Sequence, residues 1–133
     1  MRVLLTGDRS DVGRLVKLDL LATGAAIRLF GGSITDVDAV RRQVRHVDAL
    51  VHVDFLDDYA SLTFPQFVDY NVSGSIHLAA AAEQQGVPMG YWTPPASGTA
   101  ARTMEMAAEV LKDYHVYRAP TLDDLVEWVE RYG

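Results

Sequence analysis

The sequence predicts an α/β fold, a doubly wound five-stranded parallel sheet with helices on both faces. Two observations carry this. Short β-rich apolar runs alternate five times with longer segments of helical period. The third run, Ala49-Leu50-Val51-His52-Val53, is apolar nearly throughout, as a strand covered on both faces must be. The 133 residues show no repeat, linker or low-complexity stretch, so 1–133 reads as one domain. A domain of this size buries about two-thirds of its unfolded surface and needs no metal or disulfide staple.

The elements follow in order. Val3 to Thr6 is the first strand, and Gly7 ends it. From Asp11 to Thr23, Val12, Leu15, Val16, Leu20 and Leu21 form an apolar helical stripe, with Gly24 as the stop. Ala26 to Phe30 is the second strand, closed by Gly31 and Gly32. Thr35 or Asp36 caps a helix whose inward face is Val37, Val40, Val44 and Val47. The third strand spans Asp48 to Val53. A long helix then starts at Pro65, where a missing N–H is harmless, and runs to Gly86. Gly74 interrupts it at about 1 kcal/mol relative to alanine, which predicts close packing on a neighbour. Val87 to Trp92 is the fourth strand, and Thr93-Pro94-Pro95 a loop. The Thr99–Tyr114 helix, the Val116–Arg118 strand and a last helix capped by Thr121 complete the pattern.

Composition removes several function classes. Eighteen acidic against twelve basic side chains give a net charge of −6, which speaks against nucleic acid or an anionic membrane as partner. Cysteine is absent, excluding disulfides, thiolate metal sites and thiol nucleophiles. No apolar run approaches the ~20 residues that span a bilayer. Met1 to Leu5 passes at once into a glycine turn, unlike a signal peptide, so a soluble cytoplasmic protein is the expectation. The four histidines show no metal-ligand spacing, and no metal is expected. His52, inside a buried strand, reads as a satisfied core residue.

Right-handed crossovers leave two common strand orders, 3-2-1-4-5 and 2-1-3-4-5. Both put a ligand crevice at the carboxyl ends of the strands. That singles out Thr6 to Ser10, Gly31, Asp54 and Thr93. The first turn, Thr6-Gly7-Asp8-Arg9-Ser10-Asp11-Val12-Gly13, has the spacing that lays a diphosphate on helix N-terminal amides. Gly7, Arg9, Ser10, Gly13 and Thr93 are therefore the cofactor-side candidates, with Arg9 able to clamp an anion.

These motifs resemble the extended short-chain dehydrogenase/reductase family, the NAD-dependent epimerase/dehydratase type, over most of the chain. The family opens with Thr-Gly-x-x-Gly-x-x-Gly, of which Thr6, Gly7 and Gly13 are kept. Asp48-Ala49-Leu50-Val51-His52 is similar to its Asp-Ala-Val-Val-His strand. Asn71-Val72-Ser73-Gly74-Ser75 is similar to its Asn-Val-x-Gly-Thr helix. Ala107-Ala108-Glu109, followed by Lys112-Asp113-Tyr114, looks like the helix that carries its Tyr-x-x-x-Lys pair. The resemblance implies a Rossmann-like sheet of order 3-2-1-4-5, an NAD(P) cofactor and a two-fold dimer through four helices.

The departures fall on the chemistry. Ser10 replaces the middle glycine, although its hydroxyl can donate to an anion. Gly31 and Ser33 stand where acids would bind the adenosine side. Asp54-Phe55 replaces Ala-Ala beside the diphosphate. A carboxylate ~4 Å from a phosphate charge opposes binding by about 4 kcal/mol at an effective dielectric near 20. The active-site Ser/Thr becomes Pro95, the Tyr becomes Ala101 and the Lys becomes Glu105. No Tyr-x-x-x-Lys occurs in the chain, and the family's C-terminal substrate domain is not expected.

The sequence therefore predicts a small-molecule site at this crevice that requires no NAD(P). It would serve non-redox acid–base chemistry or binding, with Asp54 as base. The neighbouring acids Asp57 and Asp58 read as loop and capping residues. An oxidoreductase or epimerase with a displaced proton donor, Tyr91 or Tyr59, is the alternative. A non-catalytic dimeric nucleotide-sensing or scaffold module is another. The alanine faces of helices 65–85 and 99–114 lead to a homodimer as the expected assembly, unless those alanines pack on the sheet of their own chain.

Overall fold

A computed structural model describes residues 1–57 and 61–132. Asp58 and Tyr59 lie outside the described residues. The strands are β1 (Arg2–Thr6), β2 (Ala26–Leu29), β3 (Ala49–His52), β4 (Met89–Tyr91) and β5 (Val116–Arg118). They form a single parallel five-stranded sheet, as the alternating pattern predicts. Helices α1 (Asp11–Ala22) and α6 (Leu122–Glu130) cover one face. The other carries α2 (Val37–Val44), α3 (Phe64–Phe67), α4 (Gly74–Gln85) and α5 (Gly98–Leu111).

The strand order is β2-β1-β3-β4-β5, which corrects the order 3-2-1-4-5 implied by the resemblance. The reason is local. Residues 30–36 after β2 hold Gly31, Gly32, a Ser33–Thr35 side-chain turn and the Asp36 cap. None of this can extend into an outer strand, so α2 carries the chain straight back to the far side of β1. The topological switch still falls between β1 and β3, and the crevice keeps its place.

Caps behave as their residue types dictate. The Asp36 carboxylate accepts from the amides of Asp38 and Ala39, and Thr121 from that of Asp124. Thr63 and Gln66 form a reciprocal capping box around Pro65. Between α3 and α4 the helix runs on through a π-helical segment, Val68–Ser73, with every junction residue in right-handed geometry. Gly74 packs as expected: a Cβ there would stand 2.6 Å from Cγ1 of the fully buried Ile34.

Two sequence expectations about packing change. Leu15 and Leu21 were assigned to the inward stripe of α1, yet they are 57% and 46% exposed. Val16 and Leu20, with half-buried Val12, fill the leucine–valine contact with the sheet, and a 100° step per residue turns Leu15 and Leu21 away from it. Most of the alanines expected at a dimer face point inward, while Ala80 and Ala101 are half-buried. Ala79, Ala81, Ala82, Ala100, Ala107 and Ala108 are all buried in the core of their own chain.

Candidate functional site

The crevice begins at the β1–α1 turn. Gly7 holds φ +82°, a left-handed conformation natural to glycine, and a Cβ on it would sit 2.9 Å from the Asp54 amide nitrogen. A Cβ on Gly13 would overlap the Gly7 carbonyl. Both glycines are thus fixed by backbone crossing at the switch point. Ser10 is the N-cap of α1. Its hydroxyl donates to the Gly7 carbonyl at 2.9 Å and accepts from the Gly13 amide at 2.9 Å. The hydroxyl proton is therefore engaged inside the turn. Asp11 and Val12 keep first-turn amides with no intrahelical acceptor.

Behind the turn runs a buried polar relay. The Ser75 hydroxyl donates to the Asn71 carbonyl at 2.6 Å, which leaves Ser75 Oγ to accept from His52 Nε2–H at 2.9 Å. His52 Nδ1 then accepts the Thr6 hydroxyl proton at 2.7 Å, while Thr6 Oγ1 accepts the Val53 amide at 3.2 Å. Each hydrogen-bonding group has one role, so the tautomer of His52 follows from its partners. Burial holds the imidazole neutral and lowers its pKa to about 3. The relay ties β1, β3 and α4 together, and His52 is a satisfied core residue as expected.

The π-helical segment presents two further side chains. Asn71 accepts the Leu56 amide at 2.7 Å and donates to the Leu56 carbonyl and the Thr103 hydroxyl, both at 3.1 Å. It clamps the loop after β3 against α5. The Tyr70 hydroxyl donates to Asp54 Oδ2 at 2.6 Å. Burial raises the Asp54 pKa above the ordinary carboxylate value. The Tyr70 hydrogen bond opposes this, Asp8 adds to it, and Arg9 opposes it. Burial next to this carboxylate also pushes the Tyr70 hydroxyl well up. Asp54, Tyr70, Arg9 and Asp8 therefore converge on the rim of the Gly7 turn. Tyr70 was not found from sequence, because its aim depends on the π-helical register, which no composition signal marks.

The other candidates separate. Tyr91 is 2% exposed, packed toward Phe55, and its hydroxyl is pushed up by burial. Thr93 lies further along the strand ends, with Trp92, Pro94, Pro95, Ala101, Glu105 and Pro120 around a cleft of about 370 Å³. Trp92 rather than Tyr91 therefore lines a cleft. Glu105 forms an ion pair with Arg118 at 2.8 Å, and Ala101 opens the cleft beside it. Gly31 exchanges two hydrogen bonds with the Gln43 side chain. Arg28 donates to the carbonyls of Gln43 and Arg45 at the end of α2, a favourable place for a cation. Among the described residues no group of three His, Cys, Asp or Glu side chains could hold a metal ion.

For a dinucleotide, the backbone cradle fits and the side chains around it do not. Gly7 and Gly13 shape the turn, but Ser10 takes the Gly13 amide. Asp54 and Asp8 set two carboxylates close together beside the turn, and Gly31 offers no carboxylate for a ribose.

The sheet order, the crevice and the glycine turn define a Rossmann-like α/β protein. No family model matches the chain, and no curated protein matches it. Solved structures do. A short-chain dehydrogenase/reductase superfamily protein from Agrobacterium tumefaciens with bound NAD superposes with a TM-score of 0.76 at 18% identity, over 89% of this chain and 47% of that one. UDP-glucose-4-epimerase from Stenotrophomonas maltophila, with NAD and formylated UDP-arabinopyranose, gives 0.75 at 18%, over 89% and 52%. dTDP-4-dehydrorhamnose reductase from Bacillus anthracis, in complex with NADP, gives 0.72 at 17%, over 88% and 52%. The chain thus has the fold of these proteins and spans about half their length. No helix among the described residues is long and apolar enough to cross a membrane.

Proposed function

We propose that this domain binds a small molecule at the strand-end crevice without the hydride mechanism of the proteins it resembles. Asp54 acts as the proton acceptor and Arg9 as the anion clamp. The observation that carries the reading lies on α5. By the resemblance the family's tyrosine and lysine fall at Ala101 and Glu105, and Glu105 is engaged with Arg118 at 2.8 Å. An alanine transfers no proton, and a paired glutamate cannot lower a tyrosine pKa as an ammonium does. The hydrogen bond from Tyr70 to Asp54 supports a proton-handling pair beside the turn.

The second reading, an NAD(P)-dependent enzyme, is favoured by the intact Gly7–Gly13 crossing and by the bound NAD and NADP of the similar structures. Titration with NAD, NADH, NADP and NADPH separates the two, followed by calorimetry and by Trp92 and Trp128 fluorescence. The first reading expects no dissociation constant below about 1 mM for any of them. It also expects inorganic phosphate to shift the amide resonances of Asp8 to Ser10, an effect lost in Arg9→Ala. Sub-millimolar binding of any coenzyme, with turnover of a carbonyl or alcohol, overturns it.

A further inference from the structure

Large exposed apolar side chains are unevenly distributed on this molecule. Leu15, Leu18 and Leu21 are 57%, 63% and 46% exposed on the outer face of α1. Leu29, on the same sheet face at the edge strand β2, is also exposed. A monomer gains nothing from a leucine stripe turned to water. Most of the alanines on α4 and α5 are consumed inside the chain, whereas Leu15, Leu18 and Leu21 of α1 face outward.

We infer that α1 is a self-association surface, on which a second copy of this chain packs its own α1 in parallel. The occupant is specified by the charges beside the stripe. In heptad terms Leu15, Leu18 and Ala22 take the a, d and a positions. Arg14 then takes g and Asp19 takes e. Parallel helices bring a g side chain against the e side chain five residues on in the partner, so Arg14 meets Asp19 of the other copy, twice by symmetry. Antiparallel packing pairs e with e and g with g, so it cannot bring Arg14 to Asp19 of the other copy. Arg14 is free to make the exchange, since its contact with Asp11 is long at 3.4 Å and exposed on both sides. The contact uses little more than three helical turns, so the affinity is that of a small, reversible interface.

Sedimentation equilibrium from about 1 µM to about 1 mM, a range that brackets small interfaces, tests this on the full chain. The mass should rise from 14.7 kDa toward twice that. Leu18→Glu should weaken association at least about tenfold with unchanged circular dichroism, because the position is solvent-exposed. Arg14→Asp alone and Asp19→Arg alone should each weaken it about fivefold, and the double exchange should restore it. A monomer throughout overturns the inference. So does a dimer that Leu18→Glu leaves intact, or a double charge exchange no tighter than its single variants.

Discussion

Acidification from pH 7 to 4.5 should load the unfolded chain with a proton that the native chain refuses. His52 is fully buried between Thr6 and Ser75, and its pKa falls from 6.5 unfolded to about 3 folded. A depressed folded pKa means the unfolded state binds more protons between those values. Stability from this site is therefore complete above pH 6.5 and is lost as pH falls toward 3. At pH 4.5 the native imidazole is still neutral while the unfolded one is charged. Integrating the linkage gives a loss of about 2.5 kcal/mol between pH 7 and 4.5, a large share of a domain stability of about 5–15 kcal/mol. Urea unfolding of wild type and His52→Gln at both pH values measures it. Gln keeps polar reach toward Thr6 and Ser75 but cannot be protonated, so its loss should be smaller by about 2.5 kcal/mol. Equal losses in the two proteins would refute the reasoning, because the common carboxylates would then explain all of the acid sensitivity.

Three further outcomes are expected. Gly74→Ala gains about 1 kcal/mol of helix propensity but drives its methyl into Ile34 at 2.6 Å and 2.7 Å, so denaturant melts should show a net loss of about 1–2 kcal/mol, partly recovered by adding Ile34→Val. Because the folded Asp54 carboxyl has a raised pKa, its contribution is greatest in acid and falls as pH rises through the folded value. Asp54→Asn should thus be more stable than wild type at pH 7 relative to pH 3, while Tyr70→Phe should move the Asp54 carboxyl resonance to a still higher midpoint. Ser10→Ala should lower thermal stability by about 1 kcal/mol through loss of the α1 cap.

Much of the architecture was readable from local chemistry. Asp36, Thr121 and Pro65 start helices because capping and first-turn rules act over three residues, well within a sequence window. Gly74 announced a close neighbour, but only the fold identifies it as Ile34, forty residues earlier. The strand order was not readable in full, since it depends on whether residues 30–36 can build an outer strand. The inward stripe of α1 was overdrawn because leucines at period 3.6 look alike on either side of a boundary. At the site, Asp54 was found by its place after β3. Its partner Tyr70 was not, because a π-helical register is a tertiary outcome without a residue code. The role of Ser10 was half visible: a cap residue and an anion donor are the same hydroxyl, and only geometry shows where its proton goes.

The contact between Gly13 and the Gly7 carbonyl bears on how glycine signatures are interpreted. In this chain that pair is demanded by two backbone segments crossing at van der Waals distance, whatever the pocket above them holds. Such a signature can therefore outlast a change of ligand, since replacing either residue would break the domain before it altered any chemistry. A search that equates the motif with a coenzyme would count a folding constraint as a binding site.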